Sequence, residues 1–362
     1  MIRARFCPRC SNPHRDLVRR LLVFERFHTW QPPCSQVLHR MSASSIWNIS
    51  EAEFPAHGSP RQRLGFAVKY AALAPLESPG QPWTFRLTDA HLELVAKDDS
   101  AWDAVDPDRR EVMIGCGAAL HHLKLALKHF GCLGRVELFP DLDEPALVAR
   151  VHFGFSRERD ALEKLLFATM SCSPADVSAT IETPVSETIL GELSRAVAGE
   201  RGWLEFAQSE MSRQRVVEIT LAGAASSQNF DRVRMLPGPV SRWPRPLFAF
   251  GGRNVDSPNV TLPPVRPLSV PEATLAVVKT KTDDKHGWVA AGQATARAVL
   301  QAQVLGLAWA FFDQVRRREA REALRTGIGH KGFAQVILRF GALASGEMAR
   351  LAAPTTATAT FR

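Results

Sequence analysis

The chain has 362 residues, of which 45% are hydrophobic and 23% are charged, the balance of a globular protein that can bury a sizeable core. Its 45 Lys and Arg residues exceed the 37 Asp and Glu residues, but they are spread along the chain, so we expect no nucleic-acid partner. No apolar run approaches the ~18 residues of a membrane span, and arginines stand where a signal peptide has its apolar core. We therefore expect a cytoplasmic protein with no membrane contact.

Residues 1–40 are rich in Arg, Cys and Pro and lack a clear periodicity. Cys7-Pro8-Arg9-Cys10 has the spacing of half a zinc site, and further ligands could come from His14, His28, Cys34 and His39. No second Cys-x-x-Cys pair exists, and the six cysteines do not form a disulfide framework. We predict no metal site, and we interpret residues 1–40 as an arm that is disordered or not native.

The first part of the chain alternates helical patterns with short strand patterns. The predicted elements are a helix over 61–74, strands over 84–87 and 91–95, a helix over 109–130, strands over 135–139 and 148–153, and a helix over 156–170. Asp106-Pro107-Asp108 is expected to cap the long helix, and its single apolar stripe must face a core.

The second part predicts a helix over 188–198, a strand over 273–280, helices over 287–305 and 315–325, and a final strand over 335–340. Little is assigned over 209–268, and residues 351–362 are expected to be a loose tail. The helix over 287–305 is apolar almost all round, so it should be central and buried. Gln293, Arg297 and Gln301 form a polar line along it, which faces either a ligand cavity or neighbouring backbone carbonyls.

Helices and strands alternate without repeated strand–helix–strand units, which favours an α+β fold. The arginines around the helix over 315–325, among them Arg321 and Arg325, are interpreted as a solvated helix face.

Several motifs follow one another in a fixed order. They are Ala74-Pro75, Gln81-Pro82-Trp83, Asp106-Pro107, the run Gly115-Cys116-Gly117-Ala118-Ala119-Leu120 with His122-Leu123, Gly292-Gln293-Ala294, Gly306-Leu307, and Gln335 with Leu338-Arg339 and Gly341. In this order and with these gaps the chain resembles the nitroreductase superfamily, and within it the Acg-like subgroup, over roughly residues 60–345.

The resemblance implies a nitroreductase-like fold of two similar halves fused in one chain, a pseudo-dimer with antiparallel or mixed sheets flanked by helices and a long buried central helix. We assign the halves to residues 41–170 and 171–350. The resemblance also implies an FMN cofactor, electrons from NAD(P)H and a small organic substrate. A partner protein or a homodimer is compatible with it.

The resemblance implies particular cofactor contacts. They are the side chain of Gln81, the segment Trp309, Ala310 and Phe311 beside the reactive edge of the ring, the cations Arg297, Lys331 and Arg339 for a phosphate, and Gln335. Structural alternatives stay open, since Arg339 could pair with an acid and Gln335 could satisfy a strand end. No catalytic acid or base is assigned. His121 and His122 point about 100° apart on a helix, so they do not chelate a metal together.

The chain departs from the family pattern at cofactor-type positions. Leu76 and Pro79 replace hydrogen-bonding residues, and Ser173–Val177 carries no arginine where the family has several. Two functions therefore remain open. One is an FMN-dependent oxidoreductase with a modified pocket that transfers hydride between flavin and a small organic substrate. The other is a non-catalytic protein of the same fold that has lost FMN and serves as a binding, sequestering or partner module.

Overall fold

A computed structural model describes residues 49–75, 81–97, 106–155, 160–170, 185–225, 274–313, 318–329 and 331–342. The N-terminal arm with its zinc-ligand candidates and the C-terminal tail lie outside the described residues, as do Leu76, Pro79 and the Ser173–Val177 loop.

Seven α-helices and eight strands are found in the described part of the chain. In order they are α1 (Pro60–Ala71), β1 (Trp83–Leu87), β2 (His91–Ala96), α2 (Arg110–His129), β3 (Leu133–Leu138), β4 (Leu147–Phe153), α3 (Ala161–Met170), α4 (Glu187–Ala198), β5 (Gly202–Phe206), α5 (Glu210–Ala225), β6 (Thr274–Thr280), α6 (Lys285–Val304), β7 (Leu307–Asp313), α7 (Arg318–Gly327) and β8 (Phe333–Ala342). The predicted α+β class is confirmed.

Local sequence signals fix where the helices begin. Ser59 and Gln62 form a reciprocal capping box ahead of α1, with Pro60 as its first residue. Asp106, the first residue of the predicted Asp-Pro-Asp cap of α2, accepts a hydrogen bond from the Val112 amide at 3.2 Å. The carboxylate of Asp284 accepts one from the Gly287 amide of α6 at 2.8 Å.

Two four-stranded antiparallel sheets have the same strand order. The first runs β1-β2-β4-β3 and the second runs β5-β6-β8-β7. Strands β5, β6, β8 and β7 of the second sheet therefore correspond to β1, β2, β4 and β3 of the first. The two-halved, antiparallel architecture predicted from the sequence is therefore confirmed, while the boundaries at 41–170 and 171–350 stay predictions.

The repeat extends to the central helices α2 and α6. Both have 20 residues, and they begin at Arg110 and Lys285, 175 positions apart. Each is followed one residue past its C-cap by a glycine with positive φ, Gly131 at 67° and Gly306 at 71°, again 175 positions apart. Glycine adopts this left-handed conformation at little cost, so each helix can turn sharply into an edge strand, β3 or β7.

The two central helices touch backbone to backbone at equivalent glycines. A Cβ added to Gly117 would lie 2.1 Å from the carbonyl oxygen of Val289, and one added to Gly292 would lie 1.9 Å from that of Ile114. Such distances leave no room for any side chain. This crossing, which joins the halves inside the main core, explains why both motifs need glycine there.

The outer faces of the two sheets differ in polarity. On the first sheet, Glu93 contacts Arg86 at 3.1 Å and Arg150 at 2.8 Å across neighbouring strands. On the second sheet, apolar residues such as Val277 and Ile337 pack beneath α5 and α7 in a core cluster of their own. The continuous apolar run of β6 reflects burial on both of its faces.

A cluster of charged side chains joins the halves beside the helix crossing. Glu200, in the turn between α4 and β5, places Oε1 at 3.2 Å from Nδ1 of His121 and Oε2 at 3.4 Å from Nζ of Lys124. Lys124 also donates to Oε1 of Gln293 on α6 at 2.7 Å. Burial raises the pKa of Glu200, but His121 and Lys124 outweigh it and lower the pKa to about 2.

Some expectations need correction. Strand β5 and helix α5 fall where no element was assigned. Arg321 is not on a solvated face: it is 5% exposed and donates to Oδ2 of Asp283 at 3.0 Å. The Oε1 of Gln293 accepts a hydrogen bond from Lys124 at 2.7 Å, a contact that neither alternative for the polar line included. No helix in the described ranges is long and apolar enough to cross a membrane.

The helix crossing predicts the effect of Gly117→Ala and Gly292→Ala. Alanine has a higher helix propensity than glycine, and this difference alone would raise the free energy of unfolding by about 1 kcal/mol. Because the added methyl would overlap a backbone carbonyl, we expect each variant instead to lose about 2 kcal/mol or more of unfolding free energy, measured in urea. Gly199→Ala is the control, since nothing lies within 4 Å of its added Cβ. Variants as stable as the control would contradict the tight crossing.

The low pKa of Glu200, about 2, predicts a pH-dependent contribution to stability. An unfolded glutamate titrates near 4.3, so the folded state binds fewer protons in acid. The contribution, about 3 kcal/mol above the unfolded pKa, should be lost as pH falls toward the folded pKa. The stability difference between wild type and Glu200→Gln should therefore shrink from pH 6 to pH 3. The exposed Glu187→Gln is the control, and an equal stability difference between wild type and Glu200→Gln at both pH values would argue against the cluster.

Candidate functional site

Two seams run along opposite flanks of the α2–α6 crossing, and the repeat makes them equivalent. The second seam holds the charged cluster: Glu200, His121, Lys124, Gln293 and Arg297. The first seam is made of the equivalent positions. Gln81 corresponds to Glu200, because each lies two residues before the first strand of its sheet. The offset of 175 positions between α2 and α6 relates His121 to Ala296, Lys124 to Val299, Gln293 to Ala118 and Arg297 to His122.

The second seam is balanced in charge. Three cations, Lys124, Lys128 and Arg297, face three acids, Glu200, Asp160 and Glu163. The Lys128 ammonium contacts Glu163, and all three acids act on Arg297. Burial lowers the pKa of His121, and Glu200 opposes this shift. A ligand anion would meet as many carboxylates as Lys and Arg cations here, so this seam offers it no net positive charge.

The first seam carries small and uncharged side chains instead. Ala118, Ala296 and Val299 are all at least 97% buried, and Gln81 is half-buried. No hydrogen bond to the Gln81 side chain is formed by the part of the chain that the structure describes. The first seam therefore offers an amide group and an apolar wall, which suit a planar organic ring.

His122 is the remaining member of the first seam, and it is 2% exposed. Burial, and then the neighbouring His121, lower the pKa of His122 to about 3, and a hydrogen bond to the Ala118 backbone one turn earlier opposes this shift without cancelling it. The imidazole is therefore neutral near pH 7.

Sequence reasoning assigned His122 no role beyond excluding a metal pair with His121. Within the described ranges no group of three or more side chains from His, Cys, Asp and Glu is placed to hold a metal ion.

The predicted ring-edge segment lies on an edge strand. Within the described residues β7 pairs on one side only, with β8, and it begins directly after Gly306 at the end of α6. Trp309 and Phe311 point to the inner side, where their rings meet edge to face at 5.6 Å, and Trp309 is buried. Ala310 lies on the opposite side of the strand. An edge strand directs every second amide away from its sheet, which leaves donors for a ligand.

The three predicted phosphate cations lie in three different places. Arg297 belongs to the second seam, with three acids around it. Lys331 is exposed in the turn before β8, and Arg339 is near the other end of that strand. Arg339 lies six positions after Phe333, roughly 20 Å along an extended strand. The three side chains therefore cannot hold one phosphate together.

Arg339 is partly buried, and no acid among the described residues offsets its charge. Burial alone lowers its pKa, and its buried Nε has no hydrogen-bond partner in the described ranges. In the register of the second sheet it lies between Leu275 and Ala310. A cation in apolar surroundings is costly unless an anion joins it.

Gln335 belongs to a buried polar network between the halves. Its Oε1 accepts from Nε and Nη2 of Arg110 on α2, at 3.1 and 2.9 Å. Its Nε2 donates to Oγ1 of Thr280 at 3.0 Å and to Oδ1 of Asp283 at 3.2 Å. Both ends of the amide are thus occupied by the protein, which matches the structural alternative for this residue. Trp83 likewise lies in the main core, 3% exposed.

The sequence is similar to mycobacterial proteins over most of its length. It is 27% identical over 308 residues to "Putative NAD(P)H nitroreductase Rv3131" of Mycobacterium tuberculosis, a match covering 80% of this chain and 86% of that protein. It is 34% identical over 87 residues to "Putative NAD(P)H nitroreductase acg" of the same species, covering 24% of this chain and 26% of that protein. No family model matches the chain.

The motif series, the two antiparallel sheets of equal strand order and the long alignment agree with one another. Together they support assignment of the chain to the nitroreductase family.

Proposed function

We propose that the chain is an NAD(P)H-dependent oxidoreductase that binds FMN in the first seam and acts on a small organic substrate such as a nitro compound or a quinone. The single observation that carries the proposal is the contrast between the seams. At equivalent positions the second is filled by a charge-balanced cluster, while the first is uncharged and leads along α6 into the edge strand β7.

The first seam fits the ring of a flavin. The ring needs an apolar wall, hydrogen-bond donors along its polar rim and exclusion of water. Ala296 and Val299 supply a wall without side chains long enough to fill the seam. The Gln81 amide can donate to a ring carbonyl, and the edge of β7 presents backbone amides that no side-chain substitution can remove.

Arg339 is the cation we assign to the phosphate. It lies on β8 next to the edge strand, opposite Ala310. Arg339 points to the outer side of the sheet with Leu275 and Ala310, whereas the ring would lie on the inner side. Neighbouring strands are about 4.8 Å apart, so the assignment requires the arginine side chain to pass the small Ala310 and to meet the phosphate around the open edge of β7. A phosphate there would offset a charge that no described acid balances. Arg297 is less suited because three acids already surround it.

Flavin, when bound, would supply hydride transfer between the nicotinamide and the substrate. The protein would orient the ring through Gln81 and the β7 amides and would keep water from its face with the buried Trp309 and the partly buried Phe311. The substitutions Leu76 and Pro79 remove side-chain contacts that the family resemblance implies, so fewer polar groups hold the ring in this chain.

The decisive experiment is the absorption spectrum of the purified protein before and after addition of FMN, followed by NADH or NADPH oxidation with a quinone and a nitroaromatic acceptor. A flavin band and acceptor-dependent turnover support the proposal. A bound flavin without turnover favours the binding module. A colourless protein whose melting temperature does not rise with excess FMN overturns the proposal.

The phosphate assignment predicts a difference among three alanine variants. Arg339→Ala should raise the Kd for FMN at least tenfold, because it removes the charge-assisted contacts to the phosphate. Arg297→Ala and Lys331→Ala should change it less than about threefold. Fluorescence quenching of FMN measures each Kd.

Riboflavin, which lacks the phosphate, is the matched ligand control. Arg339→Ala and wild type should bind it equally well. Loss of FMN affinity in Arg297→Ala rather than in Arg339→Ala would place the phosphate in the second seam and contradict the assignment.

A further inference from the structure

The outer face of the first sheet is not covered by the connections between its strands. Residues 88–90 join β1 to β2 and residues 139–146 join β3 to β4, and neither connection contains a helix. In the second sheet the corresponding connections contain α5 and α7, which pack on its outer face in an apolar cluster. The remaining connection of the first sheet contains α2, which packs with α1 in the main core on the inner side. None of the described helices that connect the strands of the first sheet therefore covers its outer face.

A row of alternating charges crosses this outer face. Each strand contributes one residue, and in the order β1, β2, β4 and β3 the residues are Arg86, Glu93, Arg150 and Glu137. The guanidinium groups of Arg86 and Arg150 lie 3.1 and 2.8 Å from the carboxylate of Glu93. Neighbouring strands are about 4.8 Å apart, so the row is about 14 Å long. The register of the strands thus fixes a regular sequence of charges in which one end is a cation and the other end is an acid.

The two ends of the row carry further charges. At the β1 end Glu144 contacts Arg86 at 2.8 Å, and at the β3 end Arg135 contacts Glu137. The three arginines and three glutamates of the face sum to zero charge. A nucleic acid or a basic peptide gains no net attraction from such a face, since each finds as many like charges as opposite charges. A matching partner instead needs the same alternation in the reverse order.

The face is open to a second protein at its ends and shielded in its middle. The side chains of Arg135 and Arg86 are 74% and 47% exposed, whereas that of Glu93 is 12% exposed. Charges that are partly shielded from water are screened less by salt than fully exposed ones. The middle of the row can therefore act across an interface.

We propose that this face pairs with the same face of a second copy, so that the chain forms a weak homodimer through its first sheet. A two-fold axis that runs parallel to the strands, between β2 and β4, reverses the order of the row in the partner. Because the row begins with a cation and ends with an acid, the reversed row is complementary at all four positions. Arg86 then lies opposite the partner's Glu137, and Glu93 lies opposite the partner's Arg150. In the neighbouring row, His91 lies opposite the partner's His152.

The area of the face indicates a weak dimer. Four strands of roughly six residues cover roughly 19 by 19 Å, which is about 350 Å² for each copy. Stable complexes bury about 800 Å² for each partner. The dimer should therefore depend on concentration and on ionic strength, with a Kd of roughly 10 to 100 μM at low salt.

The test is a pair of charge reversals at opposite edges of the sheet, measured by sedimentation equilibrium of the full-length protein. The wild-type dimer should weaken at least tenfold when NaCl is raised from about 20 mM to about 0.5 M, because salt screens the charges across the interface. Arg86→Glu and Glu137→Arg, each alone, should raise the Kd at least tenfold, since each places like charges opposite each other. The double variant R86E/E137R restores opposite charges across the axis, so its Kd should return to within about threefold of wild type.

The double variant separates a contact between copies from a contact within one chain. Arg86 and Glu137 lie on the two edge strands of the sheet, about 14 Å apart, so within one molecule neither reversal can compensate for the other. Arg195→Glu on α4 is the control, because it is exposed and changes the net charge as Arg86→Glu does without touching the face. Its Kd should stay within about twofold of wild type. The melting temperature of each variant shows whether it is folded.

Three results would overturn the proposal. They are a wild-type protein that stays monomeric at about 200 μM in low salt, well above the expected Kd, a dimer that both single reversals leave intact, and a double variant that associates as weakly as the single ones. If R86E/E137R does not fold, E93R/R150E takes its place, since it also keeps opposite charges across the axis and should dimerise while Glu93→Arg alone does not.

Discussion

The backbone contact between α2 and α6 is the constraint on which the rest of the structure depends. With Gly117 and Gly292 at the crossing, the helix axes approach as closely as main-chain atoms allow, and the side chains that follow must diverge to the flanks. Each flank becomes a seam, closed at one end by the turn that leads into β1 or β5 and continued at the other by an edge strand. The crossing thus creates two places of equal geometry before any polar residue contributes.

Side chains then make the two seams unequal. In the second seam, Glu200 and its partners connect α2, α6 and the turn before β5. These contacts hold the two halves together. The first seam lacks those contacts, and its positions on the two helices are small, buried and uncharged. The outer faces diverged as well, since the first sheet exposes ion pairs and the second buries apolar residues under α5 and α7. A duplicated fold can in this way assign stability and ligand binding to different copies of one site.

Sequence patterns predicted the features that depend on local order. The apolar stripe of α2, the capping Asp106 and the run that forms β6 carry their own signals, and the ordered motifs indicated the family. Strand β5 was missed because Gly202 opens it and only five residues form it. Helix α5 was missed because its apolar residues, among them Val216 and Ile219, do not form a stripe along one face. The partner of Gln293 could not be foreseen, since Lys124 is 169 positions away. Nor does any pattern show that Arg297, Lys331 and Arg339 are far apart, because their spacing is set by the strand and by the packing of α6.

The fold changes how strongly the departures from the family motif at Leu76 and Pro79 should affect the binding of a ring. Substitution can delete side-chain donors, but the amides of an edge strand persist as long as the strand does. Affinity for a ring would therefore decline in steps as side chains are lost, while the frame that positions the ring stays. In such a site each remaining polar side chain carries a larger share of binding. In the first seam we assign this role to Gln81, and the balance between an enzyme and a binding module depends on how firmly its amide and the edge of β7 hold a ring.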